Sequence, residues 1–425
     1  MGRPLVIAYD VGTSGVKAVV VDETGRVLAS RVEAYGFTTP RAGWVEQDLE
    51  AMVDALGRVS RATLEALAVK PGRIAAVGVT AQMFSVVPVD RGGRPLRPML
   101  SWLDQRAGDE AVRLRAAASV GGSYAAFGAE LTAKDILPKL VWLARHDDDP
   151  RTAWFLDCKE AVVAMLTGAA AIDPCGASAF RLVDPVSGQW DADRMALAGV
   201  SADRLPPILP AASIAGGLTA EAARRTGLSA GTPVVVGAGD VPAGQIGAGA
   251  GAPGEAHLSL GTAAYFGIAV DRPLDDPERR LGPLQHVVPG QWIVWLETAT
   301  GGGALAWLGR QLAGLDPSRT RQLEDHAALD AEVARVADEM DGLLFAPWLT
   351  GERVPLFDDT VRGAFVGLAL HHAAGHLTRA VMEGVASQIA MTLDYGLAYG
   401  IAPNRIRAVG GGGIGAIWTG IIADA

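Results

Sequence analysis

Two short apolar runs near the start of the chain enclose a turn of glycines and hydroxyl side chains. The runs occupy residues 5–9 and 18–21, and the turn between them contains Gly12, Thr13 and Ser14. Two β-rich runs joined by such a turn predict a β-hairpin. The tip of this hairpin would present backbone N–H groups and hydroxyls, which can hold a phosphate, although an ordinary hairpin turn has the same sequence features.

A carboxylate precedes this turn and an ammonium follows it. Asp10 has the wrong charge for a phosphate, but it is the kind of ligand that Mg²⁺ prefers. Lys17 would add a positive charge beside a phosphate. The predicted hairpin therefore carries groups that could hold a phosphate together with a metal ion.

Hydrophobic positions then alternate between helical and strand-like spacing through the first half of the chain. Residues 50–67, 137–145 and 159–166 have the spacing of helices, and residues 73–79 and 232–236 have the pattern of buried strands. This alternation predicts a layered α/β architecture.

A stretch rich in glycine and alanine, residues 237–254, interrupts this pattern and predicts a domain boundary or hinge. Residues 256–270 then repeat the design of the first hairpin, with Gly261 and Thr262 in the turn. Two similar halves could clamp one polyphosphate between their hairpins. Two unrelated turns are the alternative explanation.

Glycines also precede two predicted helices in the second half. Gly302 lies in a triplet before an apolar helical run, and Gly411 and Gly412 lie in a glycine run after a predicted strand at 405–409. The second run matches G-x-G-x-x-G but lacks the further strand and acidic residue of a dinucleotide fold. A strand, glycine turn and helix N-terminus can still bind the ribose or phosphates of a mononucleotide.

Composition narrows the classes of function. A chain of 425 residues with 49% hydrophobic residues can bury a large core, and its net charge of −10 without a basic cluster argues against a nucleic-acid partner. Because no apolar run is long enough for a membrane span or a signal peptide, we expect a cytoplasmic protein without a membrane partner. Cys158 and Cys175 provide no disulfide framework, and we expect both to be buried and unreactive.

Asp240 is the strongest candidate for a reactive group. It follows a predicted strand and lies in a glycine-flanked turn, where other groups can approach closely. A carboxylate at this position could accept a proton from an alcohol that attacks phosphorus. An Asx turn, in which the side chain bonds only its own backbone, is the alternative.

Motifs along the whole chain add a family resemblance. The longest is Gly363-Ala-Phe-Val-Gly367-Leu368, followed after seven residues by His-Leu-Thr-Arg-Ala-Val-Met-Glu at 376–383. Shorter motifs occupy residues 10–17, 43–48, 81–83, 102–106, 139–143, 166–168, 239–240, 259–262, 351–355 and 410–413. Together they resemble the FGGY carbohydrate kinases, most of all the xylulokinase branch.

The resemblance implies an α/β, two-lobed, actin-like fold built on ribonuclease-H-like sheets, with ATP and a sugar in the cleft between the lobes. Residues 1–245 would form the N-terminal lobe, with the sugar side, the first phosphate hairpin and the catalytic aspartate. Residues 246–425 would form the C-terminal lobe on the nucleotide side, which we expect to be shortened relative to the family at its C-terminal end.

The same resemblance assigns roles to individual residues. Asp240 would be the general base, and Asp10 and Asp240 would together place Mg²⁺. The ATP-binding residues would be Asp10, Gly12, Thr13, Ser14, Lys17, Gly261, Thr262, Gly302, Gly411 and Gly412. The sugar-binding residues would be Gln82, Met83, Phe84, Trp102, Asp104, Arg106 and Val241.

Three positions depart from the xylulokinase pattern toward apolar residues. Phe84, Leu103 and Val241 stand where that branch has polar side chains. Because a site that hydrogen-bonds a hydroxyl discriminates strongly and an apolar wall does not, these changes leave the identity of the sugar open.

The resemblance therefore implies an ATP- and Mg²⁺-dependent kinase that phosphorylates a hydroxyl of a ketose or polyol, with a homodimer as one possible assembly. An inactive or regulatory nucleotide-binding relative is the alternative, suggested by the lost polar side chains and the short C-terminal half. An actin-like filament ATPase ranks last, because it has no reason to carry Asp240 or the motif at 102–106.

Overall fold

The structure of the chain is a computed structural model. It describes residues 4–118, 127–128, 131–272, 274, 282–315, 326–336, 340–358, 360–413 and 415–425. The chain divides into two compact units, the first formed by Met1–Ala243 with Glu278–Gly290 and the second by Gly244–Pro277 with Gln291–Ala425.

Strands and helices alternate along the chain and are numbered here in chain order. The strands are β1 (Leu5–Val11), β2 (Gly15–Asp22), β3 (Val27–Ala34), β4 (Glu46–Gln47), β5 (Ile74–Ala81), β6 (Val87–Val89), β7 (Met99–Leu100), β8 (Trp154–Leu156), β9 (Ile214–Gly217), β10 (Pro233–Val235), β11 (Ala238–Gly239), β12 (Glu255–Leu260), β13 (Ala264–Val270), β14 (Leu284–Gln285), β15 (Trp292–Thr298), β16 (Leu344–Ala346), β17 (Ala364–Val366) and β18 (Arg405–Val409). The helices are α1 (Leu49–Ala66), α2 (Gly108–Ala117), α3 (Ile136–His146), α4 (Cys158–Thr167), α5 (Pro174–Ala179), α6 (Ala192–Ala198), α7 (Ala220–Thr226), α8 (Asp240–Gly247), α9 (Gly302–Leu315), α10 (His326–Arg335), α11 (Ala374–Ala398) and α12 (Ala416–Asp424).

A mixed sheet forms the centre of the first unit. Its strand order is β3-β2-β1-β5-β10-β9, and β11 also pairs with β5. The first three strands are antiparallel, whereas β5 runs parallel to β1, β10 and β11. The first predicted hairpin is confirmed, because β1 and β2 pair from Leu5 with Asp22 to Val11 with Val16.

Helix α1 covers one face of this sheet by packing on β2 and β3, while α4 packs on β5 and β9. Asp48 caps α1 by accepting hydrogen bonds from the N–H groups of Glu50 and Ala51, which satisfies two donors that a helix N-terminus leaves free. The buried face of α1 includes Met52, Leu56 and other apolar residues at helical spacing. The sequence pattern thus explains both the start of the helix and its position on the sheet.

The second unit contains its own sheet, with strands in the order β15-β13-β12-β18. The second predicted hairpin is confirmed, because β12 and β13 pair antiparallel up to Leu260 with Ala264. Strand β18 runs parallel to β12, and a 3₁₀ turn at Gly411–Gly413 follows it. Helix α11 packs on β15 and β16 and against α9, α10 and α12.

The predicted α/β architecture is confirmed by these two units. Cys158 and Cys175 are buried and free, as expected. The boundary at 245/246 and the placement of ATP and sugar between the halves stay predictions. Across the described ranges, no helix combines the length and apolar character needed to cross a lipid bilayer.

Candidate active site

The register of three parallel strands brings two carboxylates to one edge of the first sheet. Asp10 of β1 pairs with Thr80 of β5, and Thr80 pairs with Ala238 of β11. Asp240 follows two residues after Ala238 and begins α8. Since ligands of α/β sheets bind beyond the carboxyl ends of the strands, Asp10 and Asp240 lie where a reaction site is expected.

Asp240 has the electrostatics of a proton acceptor. Burial, reinforced by the negative charge of Asp10, raises the pKa of Asp240 from 3.8 to about 7. The N–H of Val241 donates a hydrogen bond of 2.9 Å to Asp240 Oδ1, which favours the ionised form but does not outweigh burial. A carboxylate with a pKa near neutrality is well matched to general-base chemistry. Val241 itself is buried beside it.

The residues at this edge also fit a magnesium ion. Asp10 lies near the end of β1 and is exposed. Partial loss of hydration raises the pKa of Asp10, and the ammonium of Lys17, its partner on β2, opposes this effect. Mg²⁺ is commonly bound by one or two carboxylates plus phosphate oxygens and water, so Asp10 and Asp240 are a sufficient protein donor set. No group of three or more His, Cys, Asp or Glu residues suited to a metal occurs in the part of the chain that the structure describes.

The Thr13 hydroxyl at the tip of the first hairpin is bonded to two side chains of the first unit, and its contact with a phosphate stays a prediction. Thr13 Oγ1 donates to Gln82 Oε1 and accepts from Trp102 Nε1, both at 2.9 Å. The Thr13 hydroxyl is thus directed toward two residues of the predicted sugar side, whereas Ser14 and Lys17 are exposed. Gly12 closes the turn with an N–H bond of 2.9 Å to the carbonyl of Gly15.

The predicted sugar residues Gln82 and Met83 lie close to the turn that precedes Asp240. Gln82 is buried, and its Nε2 donates to Gln47 Oε1 at 2.7 Å. The Met83 side chain packs so closely on Gly239 that a Cβ at this glycine would overlap its sulfur. A larger residue before Asp240 would therefore require the Met83 side chain to shift.

Asp104 and Arg106, also predicted to bind sugar, form an ion pair with each other. Arg106 donates to Asp104 through Nε and Nη2 at 2.8–3.0 Å, and the N–H of Val45 donates to Asp104 Oδ2 at 2.7 Å. The guanidinium also contacts Glu46 at 2.8 Å and stacks over the ring of Trp44. Asp104 is fully buried, so the geometry favours a supporting role for this pair, and direct contact with sugar stays a prediction.

In the second unit, the glycine triplet at 301–303 packs on the turn of the second hairpin. The N–H of Gly302 donates to the carbonyl of Gly261 at 2.7 Å, and the N–H of Gly303 donates to the carbonyl of Thr262 at 3.0 Å. A Cβ at Gly302 would lie 2.8 Å from the Gly261 oxygen. Glycine therefore lets the start of α9 support the hairpin, whose residues Gly261 and Thr262 are both exposed.

A cavity of about 180 Å³ in the second unit is lined by two of the residues predicted to bind the nucleotide. Gly302 and Gly412 both line it, together with Met382, Asp330 and Trp418. Asp330 Oδ2 accepts a hydrogen bond of 3.1 Å from the N–H of Ala416, and Trp418 Nε1 donates to the Met382 carbonyl at 3.2 Å. The wall of the cavity is therefore held by hydrogen bonds between α10, α11 and α12. Gly411 lies beside Gly412 in the 3₁₀ turn.

Several residues of the site were missed by the sequence analysis. Thr80 lies between the strands of the two carboxylates, and its buried hydroxyl has no hydrogen-bond partner among the described groups. Lys139 and Asp157 bind the backbone of Phe84, as described below. Only Lys139 lay in a recognised motif, and no local pattern marks the other two, because their contacts depend on strand register and long-range packing.

Comparisons with known proteins agree with the motifs. The model for the FGGY family of carbohydrate kinases, N-terminal domain, matches residues 5–247, and that for the C-terminal domain matches residues 256–425. Xylulose kinase of Escherichia coli (strain K12) is 30% identical over 422 residues, which cover 99% of this chain and 84% of that protein. Gluconokinase of Bacillus subtilis (strain 168) is 27% identical over 429 residues, covering 99% of this chain and 82% of that protein.

A solved structure shows the same similarity. The crystal structure of xylulose kinase from Rhodospirillum rubrum has a TM-score of 0.84 and 33% sequence identity, covering 99% of this chain and 84% of that one. The two-domain α/β fold described above is thus the actin-like fold expected from the sequence.

Proposed function

Because this chain belongs to the FGGY family of carbohydrate kinases, we propose that it transfers the γ-phosphoryl group of ATP to a hydroxyl of a ketose or polyol, with Asp240 as general base. The observation that carries the proposal is the position of Asp240 beside Asp10 at the strand edge, with its pKa raised to about 7. Asp240 can therefore accept a proton near neutral pH. Because the chain has both Asp10 and Asp240, we favour an active kinase over an inactive nucleotide-binding relative.

Asp240 would act by taking the proton of the sugar hydroxyl as its oxygen attacks phosphorus. The leaving ADP oxygen then departs in line, so the protein mainly supplies positioning and charge neutralisation. Asp10 would hold Mg²⁺ with Asp240, and the ion, when bound, neutralises charge on the phosphates. Helix α8 begins at Asp240 itself, which fixes the carboxylate at the end of a rigid element.

Each of the two hairpins carries groups that suit the phosphates of a nucleotide. Ser14 and Lys17 are exposed at the first hairpin and are available to phosphate oxygens, while Gly261 and Thr262 form the turn of the second. The cavity lined by Gly302 and Gly412 is proposed to hold the nucleoside, because it adjoins that second turn. Gly12, Thr13 and Gly411 would shape these backbones.

The sugar would lie beside Asp240, against Gln82, Met83, Phe84, Trp102 and Val241. Relatives named xylulose kinase and gluconokinase act on different sugars, so family membership alone leaves the substrate of this chain open. The side chains of Phe84, Leu103 and Val241 are apolar and offer no hydrogen bonds to a substrate. They therefore favour a substrate with fewer hydroxyl groups facing these residues.

The proposal also covers the compartment in which the protein works and its oligomeric state. A kinase that consumes ATP would work in the cytoplasm, where ATP is made available, and a homodimer is one possible assembly. Analytical ultracentrifugation of the purified chain measures the assembly, and a monomer at all concentrations would remove the dimer from the proposal.

A substrate panel tests the proposed activity directly. Pentuloses, hexuloses, polyols and gluconate are each incubated with the chain, ATP and Mg²⁺, and ADP release is measured against a reaction without sugar. We expect ADP release to depend on at least one ketose or polyol. Activity with gluconate alone would correct the substrate class, and ADP release that never depends on an added sugar would contradict the proposal.

A further inference from the structure

Phe84 has an unusual backbone conformation on the proposed sugar side. Its φ is +65°, in the left-handed region that glycine adopts readily and a residue with a bulky side chain rarely does. Such a conformation persists only where neighbouring groups impose it, and it is typical of functional sites. The groups that impose it here bind both the N–H and the carbonyl of Phe84.

The N–H side is held by Asp157, which precedes α4. Its carboxylate accepts hydrogen bonds of 2.8 Å from the N–H groups of both Phe84 and Ser85. It also accepts a bond of 2.6 Å from the N–H of Cys158 and so caps the helix. One buried carboxylate thereby joins the start of α4 to the Phe84 loop.

The carbonyl side is held by Lys139 of α3. Its ammonium donates to the carbonyl oxygens of Phe84 and Ser101 at 2.9 Å and of Lys134 at 2.7 Å. A lysine has three N–H donors, so all three are used. The side chain is fully buried, and Ser101 immediately precedes Trp102. Lys139 therefore joins the loop of Phe84 to the loop of Trp102.

We propose that Lys139 and Asp157 are positioning residues that hold the Phe84 and Trp102 loops in the arrangement that binds sugar. The inference rests on the proposed function, because that function places Phe84 and Trp102 against the sugar. A second link supports it, since Trp102 Nε1 bonds the Thr13 hydroxyl of the first hairpin. Loss of the bonds to either loop should therefore weaken sugar binding more than it disturbs the carboxylates of Asp10 and Asp240.

The charge of Lys139 gives this arrangement a pH dependence. Burial lowers the pKa of Lys139 to about 8, while the nearby carboxylates of Asp104, Asp135 and Asp157 oppose the effect and the Lys134 ammonium reinforces it. The neutral amine keeps only two N–H donors, so one of the three carbonyls loses its bond. Sugar KM should therefore rise as the pH increases through about 8.

The test compares Lys139→Met with two controls. Lys70→Met removes an exposed lysine charge, and Leu143→Ala weakens the buried face of the same helix while keeping the Lys139 ammonium and its three hydrogen bonds. We expect Lys139→Met to raise sugar KM by roughly tenfold to a hundredfold, the scale of losing bonds from a charged donor, with a smaller change in kcat. Its sugar KM should no longer change across pH 8, whereas both controls should keep the pH profile of the unchanged chain.

Asp157→Asn supplies an independent variant, because the substitution leaves one accepting oxygen and replaces the other with an NH2 group, which cannot accept a hydrogen bond from a backbone N–H of the loop. Hydrogen exchange of the Phe84 and Ser85 amides, measured by mass spectrometry, should become faster in Lys139→Met and Asp157→Asn but not in Lys70→Met. This readout needs no turnover, so it tests the loop contacts even if every sugar fails and the proposed function is wrong. Unchanged hydrogen exchange and an unchanged sugar KM in both variants would overturn the inference. Unfolding of both variants would also overturn it, because Lys139 and Asp157 would then have a purely structural role.

Discussion

At the scale of single residues, sequence context identified the candidate reactive carboxylate but not its electrostatics. The glycine-flanked turn identified Asp240, because close approach of other groups requires small neighbours. Its raised pKa depends on burial and on Asp10, which is distant in sequence and close only through strand register. Thr13 shows the same limit, since its bonds to Gln82 and Trp102 join three separate parts of the chain.

The raised pKa of Asp240 predicts a cost to stability. Because the folded-state pKa is about 7 against an ordinary value of 3.8, the folded protein retains a proton that the unfolded chain releases between these pH values. The free energy of unfolding therefore falls as the pH rises through this window. Asp240→Asn avoids the cost and should raise the free energy of unfolding at pH 8 on the order of 2 kcal/mol, and less at pH 5.

Urea denaturation of both proteins at pH 5 and pH 8 measures this difference. Asp193→Asn, which removes an exposed carboxylate, serves as the control for surface charge. A gain that is the same at both pH values, or a loss of stability at pH 8, would show that Asp240 does not carry the raised pKa.

At the scale of elements, both hairpins followed from local rules. Each has β-rich runs around a glycine turn, and this local pattern is enough to predict the pairing of the two strands. The packing of the second hairpin on the start of α9 could not be predicted. It depends on contacts between Gly261 and Gly302, which are separated in the chain by strands β13, β14 and β15.

A methyl group at Gly302 should therefore weaken ATP binding. Its Cβ would lie 2.8 Å from the Gly261 oxygen and would displace the second hairpin or the wall of the cavity. We expect Gly302→Ala to raise the KM for ATP roughly tenfold, consistent with a misplacement of positioning groups. Gly314→Ala in the same helix is the matched control, because no atom lies within 4 Å of its Cβ position. Equal ATP KM values for the two variants would show that the contact between Gly302 and Gly261 does not contribute to nucleotide binding.

At the scale of the whole molecule, the alternation of helical and strand patterns predicted an α/β protein, and the motifs predicted its family. Periodicity alone could not order the strands, because β11 joins β5 across more than 150 residues of intervening chain. That long-range pairing places Asp240 at the same sheet edge as Asp10. The candidate site therefore depends on the fold, and the local sequence identifies only its separate parts.

The central claim is that Asp240 is the general base of a sugar kinase, and sugar-dependent ADP release by Asp240→Asn tests it most directly. The assay uses the best substrate of the panel, and calorimetry with ADP checks that nucleotide binding survives. We predict that turnover falls by roughly a hundredfold to ten-thousandfold, the usual contribution of a general base, while ADP affinity is retained. Turnover close to that of the unchanged chain would contradict the assignment.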